Sequence, residues 1–205
     1  IDTAQKRLSF VLDLSQAPFD AERYAQDFAP FAFALAHNRS GRVVAMPADI
    51  GPGTLLYRED LLRRAGLAPE ALTASWAHYV EAGARLKRAT GAYLISHART
   101  LKDLMVRCGV PAGSGQYFDA QQRPQVTGPR FHDAFELARR VRRAGLDARV
   151  ANWTPEWAEG LKRGLLATEL SGAWMAGQMA NWVCPNTKGL WRVAQLPQGC
   201  FAYYG

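Results

Sequence analysis

The chain is poor in cysteine, and its cysteines follow no metal-binding or redox motif. There are three of them, with no CxxC pair. An odd number excludes a complete disulfide framework, although an oxidising compartment would permit one bridge. Cys184 and Cys200 are the nearest pair along the chain, yet the sequence favours free thiols there and at Cys108.

The sequence also lacks the short motifs that usually carry catalysis. Its four histidines stand alone, without an HExxH pattern or another metal-ligand spacing. It contains no GxSxG, no phosphate-binding loop and no GxGxxG, so neither a nucleophile with its base nor a nucleotide site can be assembled. We therefore expect no metal, no cofactor and a protein that is not an enzyme.

Long apolar runs are missing as well, since none approaches the ~20 residues that a membrane-spanning helix needs. The net charge is +7, but the basic residues concentrate on predicted helices, as in 139–143, which is typical of solvated faces. We expect no nucleic-acid partner. Residue Ile1 is not followed by the basic and apolar regions of a signal peptide, which predicts a mature secreted form or a cut fragment.

Predicted strands and helices alternate along the chain, which indicates the α/β class. The clearest helix is 131–144, whose buried face is predicted to include Phe135. Thr73 is predicted to cap a helix over 74–88, and Thr154 to cap another one. The other predicted elements are strands at 43–46, 54–57, 92–96, 164–170 and 189–196, and helices at 60–65, 101–108 and 175–182.

The segment 43–62 combines two short apolar stretches with a dense run of turn residues between them. The two stretches are too far apart in register for a tight hairpin, so the turn residues indicate a crossover between two structural units. Glycines at such a point let the backbone approach a ligand closely, because they carry no Cβ. The turn residues are Pro47, Asp49, Gly51, Pro52 and Gly53.

This order of strand, PxDxGPG, strand and YRxDLL helix start resembles the first hinge crossing of a known family. The family is the extracellular solute-binding proteins of ABC transporters, of the sugar-binding type related to maltose-binding protein. Further motifs follow in the family's order and cover nearly the whole chain. They are Tyr57-Arg58-Glu59-Asp60, Ala65-Gly66-Leu67, Thr73 with Trp76, Trp157 with Gly164 and Ala167, Ser171-Gly172-Ala173-Trp174, and Leu196-Pro197.

The resemblance implies an α/β fold of the periplasmic-binding-protein-like type II, mainly one lobe with part of the other. Residues 1–48 would belong to lobe 1 and residues 54–200 would form most of lobe 2. The first hinge crossing would be 49–53, and 201–205 would start the second. Members of the family are much longer, so the chain resembles a central fragment that lacks part of the ligand site.

Trp174 is the first predicted ligand contact. In the family this position presents an aromatic face to the sugar, and the apolar C–H faces of sugars pack on such rings. Burial in the lobe core is the alternative. Two further tryptophans, Trp153 and Trp157, flank a predicted helix start and are interpreted as packing residues.

Two residues of the first crossing are also predicted to contact ligand. Asp49 could accept hydrogen bonds from two vicinal hydroxyls, although a turn aspartate that bonds its own backbone is equally expected. Gly51 stands where maltose-binding protein carries an acidic ligand contact. The substrate therefore need not be maltose.

Four more positions complete the predicted ligand site. Ser171 and Gly172 are predicted at the N-terminus of the helix that Trp174 opens, where free backbone N–H groups suit hydroxyl or carboxylate oxygens. A simple helix cap is an equal alternative there. Tyr203 and Tyr204 fall in the second crossing, where they either line the cleft or pack in the hinge.

The resemblance implies the substrate-binding component of an ABC importer, working in the periplasm or tethered outside the membrane. Such a protein would capture a carbohydrate or polyol between two lobes by hinge closure, a mechanism described for periplasmic binding proteins in general, and deliver it to the membrane permease. Segment 1–48 would have lost its sheet partners, so the fragment is expected to dimerise.

Two alternatives stay open at this point. The same fold could bind a polyamine, an anion or an amino-acid derivative instead of a sugar. The chain could also be a carbohydrate-active enzyme that uses Asp49 and Glu169 as an acid/base pair. Nothing in the sequence brings these carboxyls to the separation of about 5–5.5 Å that retaining glycosidases need.

Overall fold

A computed structural model describes residues 11–38, 40–110, 115–119 and 121–202. The chain forms two compact units, one ending at Ile50 and the other beginning at Gly51. None of the helices in the described ranges has the length and apolar character needed to cross a membrane.

The first unit is small and mostly irregular. It contains a 3-10 helix, Ala21–Asp27, and the short helix α1, Pro30–Ala34, with Phe33 in its core. The strand predicted at 43–46 is wrong, since among the described residues this segment forms only one isolated antiparallel bridge, between His37 and Val43. The described part of this unit contains no strand with which residues 43–46 could form a longer ladder.

The second unit is built on a three-stranded antiparallel sheet with β1 in the centre. Because β1 is covered on both sides, its residues from Leu55 to Arg58 are all buried, as a central strand requires. The strands predicted at 54–57 and 189–196 are confirmed, whereas the one predicted at 164–170 begins and ends later. The strands are β1 Gly53–Arg58, β2 Thr168–Gly172 and β3 Trp191–Ala194.

Helices surround this sheet, and most start close to their predicted positions. Thr154 caps its helix by accepting a hydrogen bond from the Trp157 N–H at 3.3 Å, as predicted. The cap predicted at Thr73 is wrong, because Ser75 accepts from the His78 N–H and starts the helix two residues later. The helices are α2 Glu59–Arg64, α3 Glu70–Thr73, α4 Trp76–Thr90, α5 Ala98–Arg107, α6 Pro129–Arg143, α7 Pro155–Lys162 and α8 Met175–Gln178, which continues as a π-helical turn, Met179–Val183.

The main apolar core lies among α4, α5, α6 and the sheet, with Tyr79 and Leu101 fully buried. Phe135 is not part of it. Its side chain is 59% exposed, because the buried stripe of α6 passes through Leu137 instead. The prediction for Phe135 is therefore wrong by half a helical turn.

The strand predicted at 92–96 is wrong, because this segment forms isolated bridges rather than a regular strand. Ile95 pairs with Asp147 in parallel orientation, and the Val150 N–H donates to the Ser96 carbonyl at 3.0 Å. These bonds fix the chain that leads toward residue 153.

A disulfide joins Cys108, at the end of α5, to Cys200, beyond β3, with their Cα atoms 5.8 Å apart. Cys184 is buried and unbridged. The expectation of free thiols is therefore wrong for two of the three cysteines. The bonded pair is 92 residues apart in sequence, a relationship that local spacing does not show.

Candidate functional site

Trp174 lies in the turn between β2 and α8, and its indole covers Gly172. A Cβ atom built on Gly172 would stand 2.3 Å from Trp174 Nε1 and 2.8 Å from Cδ1. Side-chain carbons do not approach other atoms that closely, so this position of the indole requires glycine at residue 172.

A second indole stacks on the first. The rings of Trp153 and Trp174 have centroids 5.9 Å apart and planes 21° from parallel. The ring centroids of Trp157 and Trp153 are 5.1 Å apart. Trp157 is only 1% exposed, whereas Trp153 is 60% exposed. The interpretation as packing therefore suits Trp157, whereas the exposed Trp153 stacks on the partly buried Trp174.

The backbone of Trp153 adopts the left-handed conformation, with φ of 67°. This region is disfavoured for a bulky side chain, and such a residue typically costs about 1–3 kcal/mol. It persists only where the surroundings hold it, and such positions concentrate at functional sites. No periodicity or motif marks it, which is why the sequence did not single out Trp153 as a site residue.

Ser171 and Gly172 lie inside β2, not at a helix N-terminus as predicted. Gly172 pairs with Gly53, and the Ser171 carbonyl accepts a hydrogen bond from Thr54 Oγ1 at 3.2 Å. Pairing with β1 continues through Gly172, and α8 begins only at Met175. The Ser171 residue is 5% exposed, so it supports the turn that carries Trp174.

The backbone of the first crossing meets two other segments beside this turn. The Pro52 carbonyl accepts a hydrogen bond from the Ala173 N–H at 2.9 Å, and the Gly53 N–H donates to the Ala202 carbonyl at 2.7 Å. A Cβ on Gly53 would lie 2.9 Å from that carbonyl oxygen, which explains the glycine. Within the second unit, the start of β1 and the end of β2 are therefore tied to the segment that leads into the predicted second crossing.

The remaining predicted site residues fall in different places. Asp49 is exposed on irregular backbone of the first unit. Gly51 is buried, has a positive φ of 51° and opens the second unit. Tyr203 and Tyr204 lie outside the described residues.

A buried carboxyl group contacts the tryptophan cluster. Glu169 of β2 is 1% exposed. Its Oε2 accepts a hydrogen bond from Trp157 Nε1 at 3.1 Å, and its Oε1 accepts one from Asn152 Nδ2 at 2.8 Å. Burial raises the pKa of Glu169 to about 7, although the two donors act in the opposite direction. The carboxyl does not face solvent, and each of its oxygens already accepts a hydrogen bond from the protein.

Asn152 connects this carboxyl to a second polar pair. Its Oδ1 accepts hydrogen bonds from Ser96 Oγ at 3.0 Å and from Thr100 Oγ1 at 2.8 Å. Among the described residues, no group of three or more histidine, cysteine, aspartate or glutamate side chains could hold a metal ion. The site offers aromatic surface and hydrogen-bonding groups.

The same architecture is found in solved binding proteins. An extracellular solute-binding protein of family 1 has a TM-score of 0.77 and 23% identity, covering 98% of this chain and 51% of that one. The fold is that of the extracellular solute-binding proteins. The binding protein associated with an ABC transporter of B. animalis subsp. lactis Bl-04, in complex with β-1,6-galactobiose, has a TM-score of 0.78 and 22% identity, covering 98% and 50%.

A sequence relative agrees with this solute-binding fold. The lactose-binding protein of Rhizobium radiobacter is 26% identical over 200 residues, which covers 88% of this chain and 46% of the relative. No family model matches the chain. The chain spans about half the length of these relatives, and the resemblance and fold class predicted from the sequence are confirmed.

Proposed function

We propose that the chain is part of the substrate-binding component of an ABC importer, and that the whole protein captures a carbohydrate or polyol between two lobes by hinge closure. The ligand would then pass to the membrane permease. The observation that carries this proposal is the stack of the exposed Trp153 on the partly buried Trp174, in a chain whose relatives are sugar-binding proteins.

An indole pair suits a sugar because the indole faces pack against the apolar C–H side of a pyranose. The hydroxyls of the sugar can then form hydrogen bonds with polar partners nearby. Trp174 is the leading contact, and Ser171 and Gly172 shape the turn that presents it. From the crossings we propose Asp49 and Gly51 as further contacts. Tyr203 and Tyr204 complete the proposed ligand-binding set.

The relatives also suggest which ligands to test first. One is named for lactose and another was solved with β-1,6-galactobiose, so galactose-containing disaccharides are the first ligands to test. The Cys108–Cys200 disulfide supports a periplasmic or otherwise extracytoplasmic location, because disulfides persist in oxidising compartments. Dimerisation has no support from the relatives and is not part of the proposal.

One alternative ligand class is favoured by a specific observation. Indole faces also attract ammonium groups through cation–π interactions, so the Trp153–Trp174 pair would suit a polyamine. An enzymatic role has less support, because Glu169 is buried and both of its oxygens accept hydrogen bonds.

A thermal-shift screen separates these candidates. The longest natural polypeptide that contains these residues is heated with lactose, β-1,6-galactobiose, sorbitol, spermidine and a set of amino acids. A ligand at 100 times its Kd stabilises by about 2.7 kcal/mol, which raises the melting temperature measurably. Stabilisation by a sugar or polyol, lost in Trp174→Ala, supports the proposal. Stabilisation by spermidine alone overturns the ligand class, and no stabilisation by any sugar or polyol contradicts the carbohydrate function.

A further inference from the structure

The buried carboxyl of Glu169 contacts the segments of both stacked tryptophans. Glu169 lies on β2, the strand that ends two residues before Trp174. Its oxygen Oε1 accepts a hydrogen bond from the side chain of Asn152, the residue directly before Trp153. One side chain therefore bridges the two pieces of backbone that carry the aromatic pair.

We propose that Glu169 is a positioning residue that holds the indole of Trp153 against that of Trp174 through Asn152, and thereby fixes the shape of the aromatic surface. The importance of that surface for sugar binding rests on the function proposed above. The positioning itself is a property of the free protein and can be tested without a ligand.

The first argument is that Trp153 must be held in place. Its left-handed backbone is strained, and its exposed ring has little buried surface of its own to fix it. The side chain of Asn152 is bonded at both ends, to Glu169 on one side and to Ser96 and Thr100 on the other. These bonds immobilise the residue next to the strained one.

The second argument is that Glu169 also fixes the ring on which Trp153 packs. Trp157 Nε1 donates to the other carboxyl oxygen, and the Trp157 indole contacts that of Trp153. A buried indole N–H and a partly buried amide N–H both need an acceptor. Removal of the carboxyl would leave both donors without their partner, and the Trp153 segment would lose its two supports together.

The third argument concerns which replacements should preserve the network. If the Asn152 amide turns over, its Oδ1 faces residue 169 and its Nδ2 faces the hydroxyls of Ser96 and Thr100, which can accept as well as donate. A neutral donor at residue 169 then completes the same network with reversed polarity. Glu169→Gln is therefore expected to keep Trp153 in place, whereas Glu169→Leu, of similar size but without polar atoms, is expected to release it.

Circular dichroism of the free protein tests the positioning directly, because two stacked indoles couple their ultraviolet transitions into a paired signal. Trp153→Ala and Trp174→Ala define how much of the signal of the unsubstituted protein comes from this pair. Glu169→Leu is expected to lose that component and Glu169→Gln to keep it. Retention of the full component in Glu169→Leu overturns the proposal, as does its loss in Glu169→Gln with cooperative unfolding intact.

A second variant protects the test against a folding defect. If Glu169→Leu does not unfold cooperatively, Asn152→Ala breaks the same connection from its other end and leaves the buried carboxyl in place. The stacking component is expected to disappear in Asn152→Ala too. Its persistence there would show that the connection does not hold Trp153.

Binding of lactose tests whether the positioning matters for the proposed function. A stacking contact is worth about tenfold in affinity at most, so Glu169→Leu is expected to weaken lactose binding by about three- to tenfold. In a Trp153→Ala background the same substitution should have no further effect, because it acts through Trp153. An equal loss in both backgrounds overturns the proposal. If the unsubstituted protein does not bind lactose, the sugar assignment fails for this ligand, and circular dichroism still decides the positioning.

Discussion

The indole of Trp174 occupies the space that any side chain at residue 172 would need. A Cβ on Gly172 would lie 2.3 Å from Trp174 Nε1, inside the contact distance of the two atoms. Gly172→Ala must therefore displace the ring or bend the end of β2. We expect this variant to lose most of its ligand affinity, measured by titration with the ligand found in the thermal-shift screen, while it still folds.

Gly177 provides the matched control for Gly172→Ala. It lies in α8, and a Cβ built there would meet nothing within 4 Å. Gly177→Ala is expected to leave affinity unchanged and to stabilise the protein by up to about 1 kcal/mol, as alanine does in helices. Equal affinities for the two variants would contradict the role given to Gly172.

Trp153→Ala should reduce the free energy of ligand binding more than the free energy of unfolding, because the side chain is 60% exposed. Loss of an aromatic contact of this kind costs about 0.5–1.5 kcal/mol, or up to about tenfold in Kd. Trp182→Ala is the control, since that side chain is 78% exposed and has no stacking contact to Trp174 among the ring pairs of the described residues. Isothermal titration of both variants decides the matter, and an unchanged Kd for Trp153→Ala would remove it from the site.

The fold was within reach of the sequence because the signals that define it are local. The central strand β1, the glycine after α2 and the Thr154–Pro155 helix start are each encoded by a few neighbouring residues. Neighbouring residues do not distinguish Thr73 from Ser75 as the helix cap, since both residue types cap helices. Only the tertiary position of Trp76, which is 8% exposed at the start of α4, distinguishes them.

The candidate site was predicted less completely. Trp174 was proposed as a ligand contact through its resemblance to a family position, whereas the placement of its stacking partner Trp153 depends on a positive φ that no pattern encodes. Glu169 was considered only as one carboxyl of a catalytic acid/base pair with Asp49, not as a partner of the tryptophans. In β2 all five residues are buried, so alternation does not reveal which face the carboxyl occupies.

The ionisation of Glu169 should make stability depend on pH in a defined window. Its pKa is raised from 4.5 to about 7 in the folded chain, so between these values the folded state holds a proton that the unfolded state has released. The contribution of Glu169 to the unfolding free energy must therefore fall as pH rises from about 4.5 to 7, by about 3 kcal/mol in total. The contribution is constant below and above that window.

Glu169→Gln isolates this pH effect from that of His97. The pKa of His97 is lowered, mainly by burial and then by Arg142, and a lowered histidine pKa makes stability rise with pH near 6.5. The two trends oppose each other in the unsubstituted protein. The unfolding free energies of both proteins are measured in urea. We expect the value for Glu169→Gln minus the value for the unsubstituted protein to increase from pH 4.5 to 7. A difference that does not change with pH would contradict the raised pKa.

The Cys108–Cys200 disulfide predicts that one of the three cysteines of residues 1–205 carries a free thiol. When the protein is unfolded without reductant and treated with a thiol reagent, Cys184 alone should react, and Cys184→Ala should show no thiol. The bridge closes a long loop, so its loss should lower the unfolding free energy by about 2–5 kcal/mol. Reductant should therefore lower the melting temperature of the unsubstituted protein but not that of a variant with both Cys108→Ser and Cys200→Ser. Three reactive thiols in the periplasmically expressed protein would exclude the bridge, and with it the support that it gives to an extracytoplasmic location.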